Sequence, residues 1–269
     1  MVAFCRMIVL CGNRIDLPGV RSVSYLDDPG LCPQVTDSSE RTRRVRAVVL
    51  HTHNGTATGV VKPGRLGDDD KLAVLARYQT RTDRQVSWDF TVGRDARVFA
   101  QNDPEKRCTW HATSWNSLSI GIELIQDADG ALYAEQLEAA VRLIDALTRT
   151  FRIQRQIAWR AGQPHLALIE RASEKGTMQG RDMVGVFAHV HNTTSRGKGD
   201  PGPAPFKALA AAGYDLFDFT TGSDLLAWKA RQQQLGVAVD GIPLDGTCNA
   251  LAKQTGRSAH GLWVTRPGD

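Results

Sequence analysis

The chain has 269 residues, which suffices for one domain of ordinary size and a smaller second one. Its hydrophobic fraction of 42% and charged fraction of 23% are typical of a globular protein, and no stretch approaches the roughly 18 apolar residues of a membrane span. The net charge of +4 suits an anionic polymer, but the sequence lacks the clustered Lys and Arg with interleaved aromatic residues that indicate a nucleic-acid binder.

Residues 1–44 are predicted to be an N-terminal extension without recognisable chemistry. The apolar run Met7–Cys11 and the segment Val20–Leu26 favour one or two short strands there. The run Met7–Cys11 is too short for the apolar region of a secretory signal, and no small-residue cleavage site follows it. We therefore expect the protein to be made in the cytoplasm without a recognisable signal peptide.

From Val45 onward, short apolar runs and periodic segments indicate strands that alternate with helices. Val45–Leu50 is typical of a buried strand and places His51 at its C-terminal end. The next predicted elements are a helix over Asp68–Thr80, a hairpin of Ser87–Val92 with Arg97–Gln101, and a strand over Ser117–Ile125. In that last strand apolar and other residues alternate, so Glu123 is expected on the face opposite the isoleucines.

The second half of this region completes the predicted domain. A clear apolar stripe predicts a helix over Ala134–Ile153, and the basic stretch Arg155–Arg181 is interpreted as a loop. Val184–Phe187 is a further strand candidate that ends at His189, and a short helix is expected over Phe206–Ala212. This order predicts an α/β domain over residues 45–212, with a mixed central sheet flanked by helices.

The composition changes again near the C-terminus. Residues 213–222 are predicted to be a linker, and residues 223–269 a small helical unit that begins with a helix over Leu225–Leu235. Such a short unit gains little stability without packing on a larger domain.

Two histidines and a carboxylate in the α/β domain have the chemistry of a catalytic zinc site. His51 and His189 each stand at the end of a predicted strand, and Asp200 lies in a turn with Pro and Gly. Catalytic zinc takes three such ligands and keeps a fourth position for water, whose pKa then falls towards about 7. These three residues therefore predict a zinc site.

A base and a positive charge near the metal would complete a site for amide hydrolysis. Glu123 can serve as the base, and Lys198, two residues before Asp200, can supply the charge. Each residue alone also has a structural interpretation, as a strand-end histidine, a solvated carboxylate or part of a surface turn. Their occurrence together, in compatible strand-end settings, favours the site.

Two further histidines leave the metal ligands open at this stage. His53 lies two residues after His51, and His191 two residues after His189. Residues at this spacing share a face of a strand, so either member of each pair could reach a metal. We favour His51 and His189 because they directly follow the apolar strands.

Five segments of the domain carry a family resemblance. They are Val48–His51, Trp110–Ala112 with Asn116, Ser119–Leu124, Ala188–His189 and Lys198–Gly202. Together, over about residues 45–212, they resemble the zinc-dependent N-acetylmuramoyl-L-alanine amidases of the amidase-2 or peptidoglycan-recognition-protein type. The resemblance implies a mixed sheet flanked by helices and a bound Zn²⁺.

The resemblance also implies roles for individual residues. The zinc ligands would be His51, His189 and Asp200. Glu123 would be the catalytic base, and Lys198 would lie near the oxyanion. Substrate would be bound by a groove segment that faces the sugar and the start of the stem peptide, with the residues Trp110, His111 and Asn116.

The C-terminal unit has a less specific resemblance of its own. Arg231–Gly236, Val239–Ile242 and Asp245–Thr247 look like parts of the small helical peptidoglycan-binding repeat. Such a module would raise the effective concentration of an enzyme on an insoluble polymer. The alternative is a helical cap that only packs on the catalytic domain.

The leading functional hypothesis is a cell-wall hydrolase of the endolysin type. It would cut the amide bond between N-acetylmuramic acid and L-alanine and contact both the glycan strand and the stem peptide, reaching the wall by a phage holin-type release. A cytoplasmic amidase that recycles muropeptides is an alternative. A non-catalytic peptidoglycan receptor on the same fold is another, but receptors of this kind typically lack a zinc ligand, so the complete set favours the enzyme.

Overall fold

A computed structural model describes residues 7–53, 61–64, 70–82, 84–159, 185–189, 200–218, 222–239, 250 and 253–254. In chain order the strands are β1 (Met7–Leu10), β2 (Asn13–Asp16), β3 (Ser22–Ser24), β4 (Ser38–Glu40), β5 (Ala47–Thr52), β6 (Val61–Lys62), β7 (Phe90–Val92), β8 (Val98–Ala100), β9 (Arg107–Thr109), β10 (Ser119–Leu124), β11 (Leu132–Tyr133), β12 (Gln156–Trp159), β13 (Gly185–Ala188) and β14 (Asp215–Asp218). The helices are α1 (Asp70–Arg81), α2 (Ala134–Phe151), α3 (Ala204–Ala211) and α4 (Gly222–Leu235), with a short 3-10 helix at Thr113–Trp115.

Eight of these strands form one mixed sheet, which confirms the predicted α/β architecture. Their order from edge to edge is β14, β12, β13, β5, β10, β7, β8 and β3. Neighbouring strands run parallel except for β7 and β8, which form the predicted antiparallel hairpin. Every residue of β5 and β10 is buried, as expected for central strands covered on both faces.

Helix α2 covers one face of the sheet, and its bounds agree with the predicted helix to within two residues. Its apolar stripe, which includes Leu143 and Leu147, packs in the main hydrophobic core with residues of the central strands. The Gln136 side chain fixes the start of the helix, because its amide N–H donates to the carbonyls of Val92 and Ile125 at 2.9 and 2.8 Å. Among the described residues, no helix is both long enough and apolar enough to span a bilayer.

Two short strands of the eight-stranded sheet differ from the prediction. The interpretation of Arg155–Arg181 as a loop is wrong at its start, because Gln156–Trp159 forms β12 in the sheet. Asp215–Asp218, within the predicted linker, forms β14 at the edge of the sheet beside β12. Neither segment is a continuous apolar run or alternates strictly between apolar and polar residues, which explains the difference. The domain boundaries near residues 44, 212 and 222 stay predictions.

The segment before residue 45 contributes directly to the sheet. Its strand β3 pairs in parallel with β8 and closes one edge. Strand β4 pairs with β9, and Arg41 donates from Nη1 to the Ser117 carbonyl at 2.9 Å and from Nη2 to the Ser119 carbonyl at 3.0 Å. Arg41 thereby holds the chain at the point where it enters β10.

A buried carboxylate ties β10 to its other neighbours. Asp89 is fully buried and accepts hydrogen bonds from Gly121 N–H at 2.8 Å, Thr109 Oγ1–H at 3.1 Å and Asn102 Nδ2–H at 2.6 Å. Burial raises the pKa of Asp89, while the charge of Arg41 and these donors hold it down. This network fixes the backbone of β10 two residues before Glu123.

Candidate metal centre

The carboxyl ends of the parallel strands bring the predicted metal ligands together. His51 lies near the end of β5, and His189 directly follows β13, whose Ala188 pairs with Leu50 of β5. Asp200 joins them from farther along the chain, and one ligand atom from each residue lies within 4.8 Å of the other two. His51 Nδ1 is 2.9 Å from His189 Nδ1, which is 3.1 Å from Asp200 Oδ2. All three side chains are buried.

One oxygen of Asp200 is held by the protein backbone. The N–H of Thr52 donates to Asp200 Oδ1 at 2.8 Å. This hydrogen bond orients the carboxylate so that its second oxygen, Oδ2, faces His189. The strand that carries His51 thus also fixes the third candidate ligand.

The donor set fits zinc. Two imidazole nitrogens and one carboxylate oxygen are a known combination for catalytic zinc with an open fourth position. Two nitrogens bound to one zinc at about 2.0–2.1 Å lie roughly 3.3 Å apart in a tetrahedral site. The 2.9 Å between the His51 and His189 nitrogens therefore requires only a small outward movement of the rings.

Glu123 lies beside this cluster. It pairs with His51 in the register of β10 and β5, its side chain is almost fully buried, and it lines the same cavity as His51 and Asp200. Adjacent parallel strands point paired residues to the same side, so the carboxylate and the imidazole share a face of the sheet. The structure thus brings Glu123 together with the three candidate ligands.

The remaining candidates are placed differently. His53 is not part of the cluster, and its Nδ1 accepts a hydrogen bond from Gln126 N–H at 3.1 Å. This geometry favours His51 over His53 as the ligand. His191 and Lys198 lie outside the described residues.

A cavity of about 290 Å³ opens at the cluster. Besides the residues of the cluster, its lining includes the aromatic side chains Tyr78, Trp88 and Trp110 and the basic side chain Arg84. The Trp110 indole N–H donates to Asp37 Oδ1 at 2.9 Å, which fixes the ring at the cavity. Aromatic side chains with a nearby basic group suit a ligand that has both apolar faces and an anionic group.

Two residues of the groove segment make contacts within the protein that the sequence did not predict. Asn116 does not line the cavity; its Oδ1 accepts hydrogen bonds from His111 N–H and Ala112 N–H at 3.0 and 2.6 Å and so holds the turn. His111 lines the cavity, but the residue is only 7% exposed and its Nδ1 lies 3.1 Å from His51 Nε2. Burial lowers the pKa of His111 to about 3, assisted by the charges of His189 and Arg41.

Gly121 provides the space that the His111 ring occupies. A Cβ atom at this position of β10 would lie 2.7 Å from His111 Cγ, closer than real Cβ atoms approach. The Gly-Ile-Glu sequence of this strand therefore contains two signals. Gly121 indicates a close contact with a ring, and Glu123 indicates the candidate site.

We expect Gly121→Ala to lower the free energy of unfolding by about 1–3 kcal/mol, because overpacking forces neighbouring atoms to move. Thermal or urea unfolding measures the change. Gly30→Ala is the matched control, because its Cβ would lie 3.4 Å from Asp28 Oδ1, an ordinary contact, at an exposed position. Equal losses of stability in the two variants would contradict the close packing of His111 on Gly121.

The Amidase_2 family, described as N-acetylmuramoyl-L-alanine amidase, matches residues 41–203, which is more than half of the chain. The chain belongs to this family. No curated protein matches it. Membership of the Amidase_2 family confirms the resemblance found in the sequence motifs.

Solved structures similar to this Amidase_2 chain include enzymes and recognition proteins. A mutant endolysin from Bacillus subtilis is 22% identical, with a TM-score of 0.40 over 68% of this chain and 90% of its own. The amidase LysC from Clostridium intestinale URNW is 13% identical, with a TM-score of 0.40 over 66% and 91%. The Drosophila peptidoglycan recognition protein SA is 15% identical, with a TM-score of 0.45 over 74% and 95%.

Proposed function

We propose that this protein is a zinc-dependent N-acetylmuramoyl-L-alanine amidase that cuts peptidoglycan, as a cell-wall lytic enzyme of the endolysin type. The observation that carries the proposal is the buried cluster of His51, His189 and Asp200 beside Glu123, next to a cavity that His51, Asp200 and Glu123 line. The cluster supplies every ligand that a catalytic zinc needs from the protein.

The chain's own groups account for the proton transfers of amide hydrolysis. A bound zinc ion would supply a water molecule whose pKa is lowered towards about 7. Glu123 takes a proton from the water as the oxygen of the water attacks the lactyl carbonyl carbon. Glu123 then delivers this proton to the nitrogen of L-alanine as the C–N bond breaks. Products are the free carboxylate of the muramic acid and a stem peptide with a new amino terminus.

Lys198 is proposed to supply positive charge to the developing oxyanion, in line with the family resemblance. The substrate is proposed to lie in the cavity with its sugar against Trp88 and Trp110. Residues 223–269 are proposed to bind the polymer and to keep the catalytic domain on it. Within this proposal the protein acts on the wall after release from the cytoplasm.

The proposal predicts zinc-dependent release of stem peptides. Purified peptidoglycan is digested with the full chain as prepared, after treatment with a chelator, and after zinc is restored. Mass spectrometry of the soluble products is expected to show free stem peptides that begin with L-alanine, to lose them with chelator and to regain them with zinc.

Three other outcomes would contradict the proposal, and the first two would identify an alternative. Binding to the insoluble wall without release of peptides would favour a non-catalytic receptor. Release only from small soluble muropeptides would favour a recycling amidase. Cleavage between sugars instead of at the amide would exclude the receptor and the recycling amidase as well, and would overturn the amidase assignment.

A further inference from the structure

A chain of hydrogen bonds runs from the candidate metal ligand His51 to a backbone carbonyl. His51 Nε2 is 3.1 Å from His111 Nδ1, and His111 Nε2 is 3.2 Å from Ser119 Oγ. Ser119 Oγ in turn donates its proton to the Trp115 carbonyl at 2.8 Å. The side chains of His51, His111 and Ser119 are all buried.

We propose that His111 is a positioning residue that holds His51 in the ring orientation and tautomer required to bind metal through Nδ1. The proposal rests on the zinc site proposed above and adds a residue to it. His111 then affects metal binding by orienting His51, and this role does not depend on contact with the substrate.

The direction of every hydrogen bond in this series follows from its last acceptor, the Trp115 carbonyl. A carbonyl oxygen can only accept, so the single proton of the Ser119 hydroxyl is used by Trp115. The hydroxyl oxygen must then accept, and the proton of the neutral His111 ring lies on Nε2. His111 Nδ1 is consequently an acceptor.

The same reasoning determines which nitrogen of the candidate ligand His51 has the proton. Because His111 Nδ1 accepts, the proton between the two histidines belongs to His51 Nε2. The neutral His51 ring then has a bare Nδ1, the nitrogen that lies 2.9 Å from His189 Nδ1 in the cluster. A backbone carbonyl thus determines which nitrogen of His51 can bind a metal.

Packing holds His111 where this chain of hydrogen bonds needs it. The ring lies over Gly121, where any side chain would collide with it. Asn116 fixes its backbone, since Oδ1 of that side chain accepts the His111 N–H at 3.0 Å. The rings of His51 and His111 meet edge to face, with centroids 5.2 Å apart and planes at 86°. This arrangement is independent of any substrate.

The test is the zinc affinity of the full chain, measured by competition with a chromophoric chelator. His111→Ala is expected to weaken zinc binding about 10- to 100-fold, the usual cost of losing an outer-shell partner of a histidine ligand. His111→Gln is expected to recover part of the affinity, because its amide can accept from His51 and donate to Ser119 in the same directions. Ser119→Ala should cause a smaller loss.

Leu143→Ala serves as the control for a general loss of stability. Leu143 is fully buried in the main core on α2, so its truncation lowers the unfolding temperature without touching the metal ligands. Its zinc affinity is expected to equal that of the unmodified protein. Nitrogen-15 NMR of the histidine rings adds a direct readout, with the His51 proton expected on Nε2 in the zinc-bound protein.

The outcomes separate the two proposals. If the unmodified chain binds zinc and His111→Ala binds it equally well, the role of His111 is refuted while the zinc site stands. Failure of the glutamine variant to bind better than the alanine variant also counts against it. If the unmodified chain binds no zinc, the proposed function fails and the role of His111 fails with it.

Discussion

Replacement of Glu123 by glutamine is expected to reduce kcat for amide cleavage by about 10²- to 10⁴-fold, the usual contribution of a positioned general base. Glutamine has the same shape but cannot take a proton from water. Glu123 is almost fully buried, pairs with His51 in the sheet and lines the cavity, so the substitution changes the chemistry at the candidate site with little change in packing. Zinc affinity is expected to stay the same.

Initial rates of stem-peptide release, together with the zinc affinity, measure both parts of this prediction. Glu138→Gln is the matched control, because this glutamate is exposed on α2 and its loss should leave kcat unchanged. A Glu123→Gln enzyme with the rate of the unmodified protein would remove Glu123 from the mechanism. A parallel loss of zinc would instead assign Glu123 to metal binding.

The positions of two candidate metal ligands, His51 and His189, and of Glu123 follow largely from the sequence. Val45–Leu50 and Val184–Phe187 are apolar runs that predict buried strands, and the carboxyl ends of parallel strands meet at one edge of a sheet. His51 and His189 follow these runs directly, so their convergence needs no knowledge of the loops. Glu123 joins them because the predicted strand Ser117–Ile125 is the parallel neighbour of β5.

The surroundings of His51 could not be predicted in the same way. His111 is 60 residues away in sequence, and its contact with His51 depends on how a turn packs against β10. The family resemblance favoured a substrate-facing role for the segment, whereas Asn116 uses its side chain to hold the turn. The one local signal was Gly121 in the middle of a strand, which indicates the close approach of another group.

The network around Asp89 shows a second limit of the sequence. Its three hydrogen-bond donors lie on separate segments, up to 32 residues away, and no pattern in the chain links them. The edge strand β14 was missed for a related reason, since it is stabilised by pairing with β12 and has no periodic pattern of its own. Pairing partners distant in sequence determine both features.

Replacement of Asp200 by asparagine is expected to weaken zinc binding by roughly 10²-fold or more, above the usual cost of losing an outer-shell partner. The Asn Oδ1 can still accept the hydrogen bond from Thr52 N–H, so the local backbone is preserved. Its amide nitrogen, however, takes the place of Oδ2, the oxygen that faces His189, and has no lone pair to donate to a metal. The substitution therefore removes a ligand and little else.

Thermal unfolding with and without zinc measures this loss independently of activity. Zinc at about 100 times its Kd should stabilise the unmodified protein by about 2.7 kcal/mol. For a chain of this size that corresponds to a rise in Tm of roughly 5–10 °C. Asp200→Asn, with a Kd about 10² times higher, should show a rise of at most about 1–2 °C at the same zinc concentration, whereas Asp129→Asn, at an aspartate whose side chain is 59% exposed, should respond like the unmodified protein. An unchanged response of Asp200→Asn would show that zinc binding does not need Oδ2 of Asp200, which would contradict the proposed ligand set.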